Sequence, residues 1–548
     1  MEVDHDLVVV DEFDALAIEV KVPFKPASPG ALPAAREKSP PSLSDKDRLR
    51  IKKQHSDAWL TDKEKLGKYP AKAHARKVAK KLGVQSGLIF LPGQDEKLYE
   101  ESDEGPEFRQ RRHFFYLSGA DFPGCSLTYD IARDHLILWI PHWEPRYILY
   151  NGSPPSIDDC KAESEVDDVR IASGLDKFLY MALAPGSTLF VLNPDQTPKL
   201  GSTKGVVNID TVKLKPAIEA ARVIKDDYEV AMIRRANSVS SAAHRAVLAR
   251  LKKLSNEREI DAIFRGFCIA QGAKRQAYGI IAGSGVNAST LHYNANNSQL
   301  DGRQVVVLDA GAEWNCYASD ITRTFPISGT WSPEAAAVHS VVERMQNECI
   351  QRIKPGVFYY TLHLHACIVA VTELLRLGIL HGGTTADIFN RGTVAAFFPH
   401  GLGHHVGLEV HDVTGSEKLL MGSGTGASGK RKRASKREWV SPEMLAYMYR
   451  DAVNIPSACS GRQKLAKNMV VTIEPGIYFC REYIESVFLT NPLHSRFINT
   501  KVLDRYYPVG GVRIEDCILV TDDGYENLTS APKGDDMLRV INSGSAAA

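Results

Sequence analysis

The chain has 548 residues, a length that corresponds to roughly two to four domains. Its 67 Lys and Arg residues nearly balance 66 Asp and Glu residues, so the net charge of +1 lacks the basic excess of a nucleic-acid-binding protein. Hydrophobic residues make up 44% and charged residues 24% of the sequence, which excludes a mostly disordered, collagen-like or coiled-coil protein.

Targeting signals and cysteine usage predict a cytoplasmic protein. No apolar run approaches the ~18–20 residues needed to span a bilayer, so no membrane partner is expected. The acidic N-terminus, Met1–Asp6, lacks the basic start and apolar core of a signal peptide. The nine cysteines are scattered and contain no CxxC pair, which fits reduced thiols better than a disulfide framework or a thiolate zinc site.

The first half of the chain is predicted to contain an extension and a mixed α/β domain. Residues 1–64 include a Pro-rich stretch followed by many charged residues, and we interpret them as an N-terminal extension and flexible linker. Residues 65–222 alternate between helix-like and strand-like segments, which is typical of a mixed α/β domain. The predicted elements are a helix at Ala71–Leu82 and strands at Ser86–Leu91, His113–Leu117, Asp134–Ile140, Val169–Ile171 and Ser187–Leu192.

A second domain is predicted over residues 223–540. It begins with a long amphipathic helix at Lys225–Leu251 and continues with helices at 331–354 and 361–378 mixed with strand hairpins. Residues 421–437 are Gly/Ser-rich and then strongly basic, which indicates a solvated surface loop; a nuclear-localisation signal or an acidic-partner patch is the alternative. Residues 541–548 are expected to form a frayed tail.

Two aspartates eleven residues apart form the first chemical pattern. Gln304–Asp309 is a buried-type strand that ends on a carboxylate, residues 312–315 suggest a turn, and Tyr317–Phe325 suggests a second strand. In a hairpin, Asp309 and Asp320 would be cross-strand neighbours with Cβ atoms about 4.5–5.5 Å apart. Two unpaired carboxylates placed so closely repel each other and are tolerated when a cation lies between them.

Three further patterns carry histidines and carboxylates. Residues 399–412 contain four histidines among glycines that argue against a helix, namely His400, His404, His405 and His411. Glu474 lies in a VTIEPG sequence and Glu515 in a VRIE sequence, each a β-type run with a Glu in its middle. A Glu within an apolar strand is costly unless it is paired or binds a metal.

In this order, these patterns resemble the Xaa-Pro aminopeptidase and prolidase branch of the pita-bread metallopeptidases. The resemblance covers residues ~65–530, with the motifs at ~275–520, and is close to the fungal Xaa-Pro aminopeptidases that carry an N-terminal extension. It implies an α/β (α+β) chain with an N-terminal mixed α/β domain of the creatinase/prolidase type and a C-terminal pita-bread domain. It also implies a homodimer.

The resemblance assigns roles to nine residues of this chain. The five implied dimetal ligands are Asp309, Asp320, His404, Glu474 and Glu515. The implied catalytic residues are His292, His400, His411, Glu474 and Arg513.

The implied cofactor is a pair of divalent metal ions in each subunit. Four carboxylates and one neutral imidazole balance two divalent cations, and an oxygen-rich donor set favours manganese, with cobalt or zinc able to substitute. The implied reaction is metal-assisted hydrolysis, in which a hydroxide that bridges the two ions attacks the carbonyl of an Xaa-Pro bond. Glu474 would take the proton, His292 or His411 would stabilise the oxyanion, and the substrate's amino group would bind near Asp309.

Alternatives remain at this stage. The preferred activity removes the N-terminal residue that precedes proline in a peptide, whereas a prolidase cleaves only Xaa-Pro dipeptides and benefits from a cation for the substrate carboxylate. Arg462 is the candidate for that cation. An inactive pita-bread binding scaffold is disfavoured because every ligand type is present. Near the ligands, we expect His405 to face away from the metals and Thr322 to hydrogen-bond a ligand carboxylate.

Overall fold

The computed structural model describes residues 66–200, 207–420, 459 and 461–546. The expectations for the extension and linker at 1–64 and for the basic loop at 421–437 lie outside these residues. The chain divides into two compact units. The first takes the described residues up to Glu229 together with Val413–Ser416, and the second takes Val230–Asp412 and the described residues from Glu417 onward.

A six-stranded mixed sheet forms the centre of the first unit. Its strand order is β4-β3-β2-β1-β5-β6, with antiparallel pairing from β1 to β3 and parallel pairing towards both edges. The elements of this unit, in chain order, are α1 (Ala71–Leu82), β1 (Leu88–Pro92), α2 (Arg112–Ser118), β2 (Ser126–Asp130), β3 (His135–Ile140), α3 (Pro145–Asn151), α4 (Ile157–Glu163), β4 (Asp168–Ile171), α5 (Leu175–Ala182), β5 (Thr188–Phe190), β6 (Asn208–Asp210) and α6 (Leu214–Arg222).

One predicted strand of the first unit is a helix. His113–Leu117 lies within α2, so the strand prediction was wrong. The aromatic run Phe114–Tyr116 and Leu117 are buried on all sides, which removes the periodic pattern that distinguishes a helix from a strand. Gly119 ends the helix with a φ of 69°.

The division between the units falls within a long helix, α7 (Asp227–Leu248), rather than at 222/223. His74 of α1 explains why the start of this helix belongs to the first unit. Its Nε2 lies 2.7 Å from Oδ2 of Asp226, the residue that precedes the helix. Asp226 and Glu229 also exchange capping hydrogen bonds, in which each backbone N–H donates to the other's carboxylate at 3.0 and 2.9 Å.

The second unit combines helices with short antiparallel sheets. Beyond α7, its elements are α8 (Glu257–Ala270), β7 (Arg275–Gln276), β8 (Ile281–Ser284), β9 (Val305–Asp309), β10 (Ala312–Trp314), β11 (Tyr317–Ala318), β12 (Thr322–Pro326), α9 (Pro333–Ile350), α10 (Tyr359–Arg376), α11 (Thr385–Arg391), β13 (Val470–Ile473), β14 (Gly476–Tyr478), α12 (Arg481–Tyr483), α13 (Pro492–Ser495), α14 (Thr500–Leu503), β15 (Gly511–Arg513), β16 (Asp516–Val520), β17 (Tyr525–Asn527) and α15 (Gly534–Ser543). The last helix extends past residue 540, so the start of the expected frayed tail is helical.

The strand register corrects the predicted pairing of the two aspartates. In the sheet β12-β9-β8, the residue opposite Asp309 is Thr322, and Asp320 lies before β12 begins. The predicted turn at 312–315 is instead a small hairpin of β10 and β11, whose turn residues Asn315 and Cys316 have φ values of 46° and 66°. Because the hairpin of β10 and β11 is inserted between β9 and β12, the pairing of β9 with β12 is shifted by two residues relative to a simple hairpin.

Two further properties of the described residues concern the cysteines and the hydrophobicity of the helices. All nine cysteines are free, and eight of them are buried. In the part of the chain that the structure describes, no helix has the length and apolar character needed to cross a bilayer.

A buried ionic network ties the strands of the second unit together. Arg323 of β12 forms an ion pair with Asp516 of β16 at 2.8 Å, and both side chains are almost fully buried. The same guanidinium donates hydrogen bonds to the backbone carbonyls of Thr322 and Glu515 at 2.9 and 2.8 Å. Lys533 adds a second cation 2.8 Å from Asp516. The network therefore fixes the spacing between β12 and the junction of β15 and β16.

Removing the anion of this network is expected to destabilise the fold. Asp516→Ala leaves the buried Arg323 without its carboxylate, which typically lowers the free energy of unfolding by about 3–5 kcal/mol. Urea-induced unfolding followed by fluorescence measures the change. The matched control is Glu526→Ala, which breaks the half-exposed Arg234–Glu526 pair and is expected to cost ~0–1 kcal/mol. Equal shifts for the two variants would contradict the assigned importance of the buried pair.

Candidate active site

The sequence pattern placed two of the predicted ligands, Glu474 and Glu515, in the middle of strands. In the structure, both lie at breaks between strands. Glu474 follows the last residue of β13, and Pro475 separates it from β14. Proline has no N–H to donate to a neighbouring strand, so regular pairing stops there. Glu515 lies between β15 and β16, and its backbone N–H donates to the carbonyl of Thr322 at 3.0 Å.

The strand ends converge on a cavity of about 300 Å³ in the second unit. Every residue assigned to the site from the sequence lines this cavity: His292, Asp309, Asp320, His400, His404, His411, Glu474, Arg513 and Glu515. Ile281, Leu291 and Val410 add apolar wall to it. The cavity therefore combines a strongly polar floor with surface that suits an apolar ligand group.

The donor atoms form overlapping groups of three. One group is Asp309, Asp320 and Glu515, and a second is His404, Glu474 and Glu515; within each, the donor atoms lie within 4.8 Å of one another. Glu515 belongs to both groups and can therefore bridge two adjoining metal positions. His411 joins Asp320 and His404 in a third group.

His404 is oriented for metal binding by its neighbours. Its Nδ1 donates to the backbone carbonyl of His405 at 2.9 Å, which turns Nε2 toward the carboxylates and leaves Nε2 as the atom that would bind a metal in exchange for its proton. That Nε2 lies 3.1 Å from Oε1 of Glu474 and 3.4 Å from Oδ2 of Asp320. His405 itself is fully buried and bonds Gln463 at 2.6 Å outside the cavity lining, as expected.

The carboxylates fit divalent cations electrostatically. Burial, and then the charges of Asp320, Glu474 and Asp309, raise the pKa of Glu515 well above its ordinary value. Oε1 of Glu515 is buried and has no hydrogen-bond partner. An unpaired buried carboxylate oxygen is costly, and coordination to a cation satisfies it. The oxygen-rich donor set suits hard ions.

Three carboxylates of the cluster, those of Asp309, Glu474 and Glu515, each accept a hydrogen bond from a hydroxyl group. The hydroxyl of Tyr278 donates to Asp309 at 2.7 Å, and Thr472 donates to Glu474 at 2.9 Å. Thr322 donates to Oε2 of Glu515 at 2.7 Å, the contact that was expected of this threonine. These bonds hold the donor oxygens in place.

A series of hydrogen bonds connects Arg513, Tyr478 and His400 beside the candidate metal ligands. Arg513 donates to Oδ2 of Asp309 at 2.7 Å and to the hydroxyl of Tyr478 at 2.9 Å. That hydroxyl lies 2.8 Å from Nε2 of His400, whose Nδ1 lies 2.7 Å from the carbonyl of Gly401. Burial lowers the pKa of His400 to about 4, so the ring is neutral at pH 7, with the proton on Nδ1. Tyr478 therefore donates to His400 and accepts from Arg513.

Sequence reasoning missed three side chains of the site: Tyr278, Thr472 and Tyr478. Thr472 and Tyr478 lie two residues before and four residues after Glu474, and this even spacing along extended chain was an available signal. Tyr278 lies 31 residues before Asp309, and no local pattern links the two.

Comparison with known proteins extends the likeness over nearly the whole chain. Residues 231–522 match metallopeptidase family M24, and residues 71–190 match the aminopeptidase P N-terminal domain. The chain is 55% identical to a probable Xaa-Pro aminopeptidase from Sordaria macrospora, over 99% of this chain and 98% of that protein. It is 54% identical to one from Colletotrichum graminicola, over 98% and 99% of the two chains.

A solved structure shares the fold. Aminopeptidase P from E. coli, in its low-pH form, superimposes with a TM-score of 0.67 at 23% identity and covers 86% of this chain and 98% of its own. The predicted fold class is thereby confirmed, with a mixed α/β N-terminal domain ahead of a pita-bread domain. The chain belongs to metallopeptidase family M24.

Proposed function

We propose that this protein is a metal-dependent Xaa-Pro aminopeptidase, which hydrolyses the bond before a proline in second position and releases the N-terminal residue. One observation carries the proposal: a single cavity unites five metal-type ligands with three further histidines and Arg513. Relatives more than 50% identical over nearly the whole chain bear the same activity in their names.

The metal positions follow from the donor groups. Asp309, Asp320 and Glu515 would hold one divalent ion, and His404, Glu474 and Glu515 the other. We propose manganese for both positions because the set is dominated by carboxylate oxygens. When bound, such ions supply Lewis acidity and make a water molecule nucleophilic at neutral pH.

The chain's own groups handle protons and orient the substrate. Glu474 lies among the donors with Thr472 on its Oε1, and we assign it the proton that the attacking water loses and the prolyl nitrogen gains. The ring of His411 lies tilted against that of His404 at a centroid distance of 4.1 Å, whereas His292 is exposed in the cavity wall. Either imidazole can donate to an oxyanion, and such a donor is worth roughly 10²–10³ in rate.

The positively charged side chains near the cavity favour an aminopeptidase acting on longer peptides over a dipeptidase. Among the described residues that line the cavity, Arg513 is the single Arg or Lys, and its guanidinium is committed to Asp309 and Tyr478. Arg462, the candidate cation for a prolidase, does not line the cavity. Its guanidinium stacks 3.6 Å from the ring centre of Tyr360, and its Nε donates to the carbonyl of Leu420 at 2.5 Å. Among the cavity-lining residues that the structure describes, a dipeptide's carboxylate would therefore find no uncommitted Arg or Lys.

The homodimer and the cytoplasmic location stay predictions. Both follow from the sequence and its family resemblance. Size-exclusion chromatography with light scattering tests the first, and microscopy of the tagged protein in its own cells tests the second.

Two substrates compared side by side test the proposed activity. The manganese-loaded protein is expected to release the first residue from a peptide of four or more residues with proline second, and to cleave an Xaa-Pro dipeptide with lower kcat/KM. Arg462→Met is the matched variant and is expected to leave both rates unchanged, because Arg462 is engaged with Tyr360 and Leu420. Mass spectrometry of the products and a chelated control complete the experiment. Preferential cleavage of the dipeptide, lost in the Arg462 variant, would establish prolidase instead.

Neutralising the shared ligand separates metal binding from folding. Glu515→Gln removes one negative charge from a buried cluster of like charges, so the chelated variant is expected to melt at or above the temperature of the chelated wild type. Manganese affinity is expected to fall by at least ~10–100-fold, and hydrolysis is expected to be lost. Calorimetric titration and thermal unfolding with and without manganese measure both effects. Wild-type turnover by this variant would overturn the ligand assignment.

A further inference from the structure

A single buried carboxylate outside the metal cluster gathers five hydrogen bonds from one segment. Glu257, the first residue of α8, is fully buried. Its Oε1 accepts bonds from the backbone N–H and hydroxyl of Ser284 and from the side chain of Asn287, at 2.8, 2.6 and 3.0 Å. Its Oε2 accepts bonds from the hydroxyl of Tyr293 and the backbone N–H of Ser298, at 2.7 and 2.8 Å. All five donors lie within residues 284–298, here named the His292 segment.

The His292 segment forms one wall of the cavity. Leu291, His292 and Asn294 line it, and His292 is exposed. Beyond Ser289 the segment has no helix or ladder pairing to hold it in place. Its position therefore depends largely on hydrogen bonds made by side chains, together with one backbone bond from the N–H of Glu257 to the carbonyl of Ser298 at 3.0 Å.

The bonds to Glu257 act on both sides of His292. Ser284 and Asn287 fix the entry to the segment, Tyr293 fixes the residue directly after His292, and Ser298 fixes the exit. The hydrogen bonds more than offset the burial of the carboxyl group, since the pKa of Glu257 lies below its ordinary value. The carboxylate is thus ionised at neutral pH, and bonds to an ionised acceptor are about twice as strong as neutral ones.

A second set of hydrogen bonds, made by Asn296, anchors the His292 segment at a different place. Asn296 returns the segment to the core by bonding the carbonyl of Ile280 at 2.7 Å and the N–H of Ala282 at 2.9 Å. These bonds secure the part after His292 to the start of β8, but they do not reach Tyr293 or Ser284. Tyr293, the residue beside His292, is held by Glu257 and by Asn287, which donates to the Tyr293 hydroxyl at 3.0 Å and itself bonds Glu257.

We propose that Glu257 is a positioning residue for the hydrolysis, which holds His292 at the place where it meets the substrate. The proposal rests on the proposed function, because it assigns the effect of Glu257 to the chemistry of His292. The five hydrogen bonds to the Glu257 carboxylate come from the His292 segment and not from the candidate metal ligands, so Glu257 acts on the segment and not on metal binding.

Glu257→Gln tests the proposal with little change in shape. A carboxamide replaces one acceptor oxygen with an NH₂ group, which cannot accept a hydrogen bond from the backbone N–H of Ser284 or of Ser298. We expect kcat for an Xaa-Pro peptide to fall about 10- to 100-fold, since a displacement of ~1 Å costs up to 10²-fold in rate. Manganese affinity, measured calorimetrically, is expected to remain that of the wild type.

The matched control is Glu259→Gln on the same turn of α8. The hydrogen bonds to the Glu259 carboxylate come from Ser255 and Asn256 at the start of the helix, outside the His292 segment. This variant is expected to retain wild-type kcat, whatever its effect on thermal stability. A general loss of stability at the helix start would instead lower the rate in both variants.

A double-mutant cycle shows whether Glu257 acts through His292. In the His292→Ala background, Glu257→Gln is expected to slow hydrolysis no further, because the group that it positions is gone. Hydrogen–deuterium exchange, followed by mass spectrometry, is expected to rise in residues 284–298 of Glu257→Gln and not in the metal-bearing strands. If Glu257→Gln fails to fold, Tyr293→Phe removes one of the five bonds and is expected to show a smaller loss of the same kind.

Three results would overturn the inference. They are wild-type kcat in Glu257→Gln, an unchanged exchange rate in residues 284–298, and a loss in the His292→Ala background equal to the loss in the wild type. Failure of the proposed function itself is recognised separately. In that case the wild-type protein does not cleave Xaa-Pro peptides, while the exchange measurement still reports whether Glu257 holds the segment.

Discussion

The mutual repulsion of four buried carboxylates is the constraint on which the second unit depends. Asp309, Asp320, Glu474 and Glu515 face one cavity, and their charges cannot coexist there without cations or very firm placement. The chain itself compensates part of this negative charge, because Arg513 forms an ion pair with Asp309. The remaining excess of negative charge is what makes the cavity a site for divalent metals.

The fold meets this constraint by placing the carboxylates at strand ends and supporting the strands from behind. Arg323 clamps the carbonyl of Glu515, and Gln346 donates to the carbonyl of Ile473, the residue before Glu474. Lys533 bonds Gln346 and Asp516, which joins these two supports into one network. These bonds position the backbone at Glu474 and Glu515, while hydroxyl donors such as Thr472 and Thr322 orient the carboxylate oxygens themselves. Glu257 supports the His292 segment in a comparable way, with a carboxylate in place of a cation.

Much of the fold could be predicted from the sequence, because in a long helix the hydrophobic residues recur with the helical period. The helix at Ala71–Leu82 and the helices near 331–354 and 361–378 appear close to where they were expected. The wrong predictions concern segments whose local sequence pattern does not identify the type or the pairing of the element. A short segment buried on all sides, such as His113–Leu117, shows no alternation, and the pairing of β9 with β12 depends on an intervening hairpin that resembles a simple turn.

For the site, the sequence by itself predicted which residues carry the chemistry, and the structure places all of them around one cavity. Carboxylates and histidines set in apolar or glycine-rich surroundings are costly without a function, and their order along the chain resembled one family. The tertiary structure alone decided which oxygens and nitrogens meet, that Thr322 rather than Asp320 lies opposite Asp309, and that Tyr278 and Glu257 serve the site from distant segments. The physical reason is that a hydrogen bond across tens of residues depends on strand register and loop path, and neither leaves a periodic trace in the sequence.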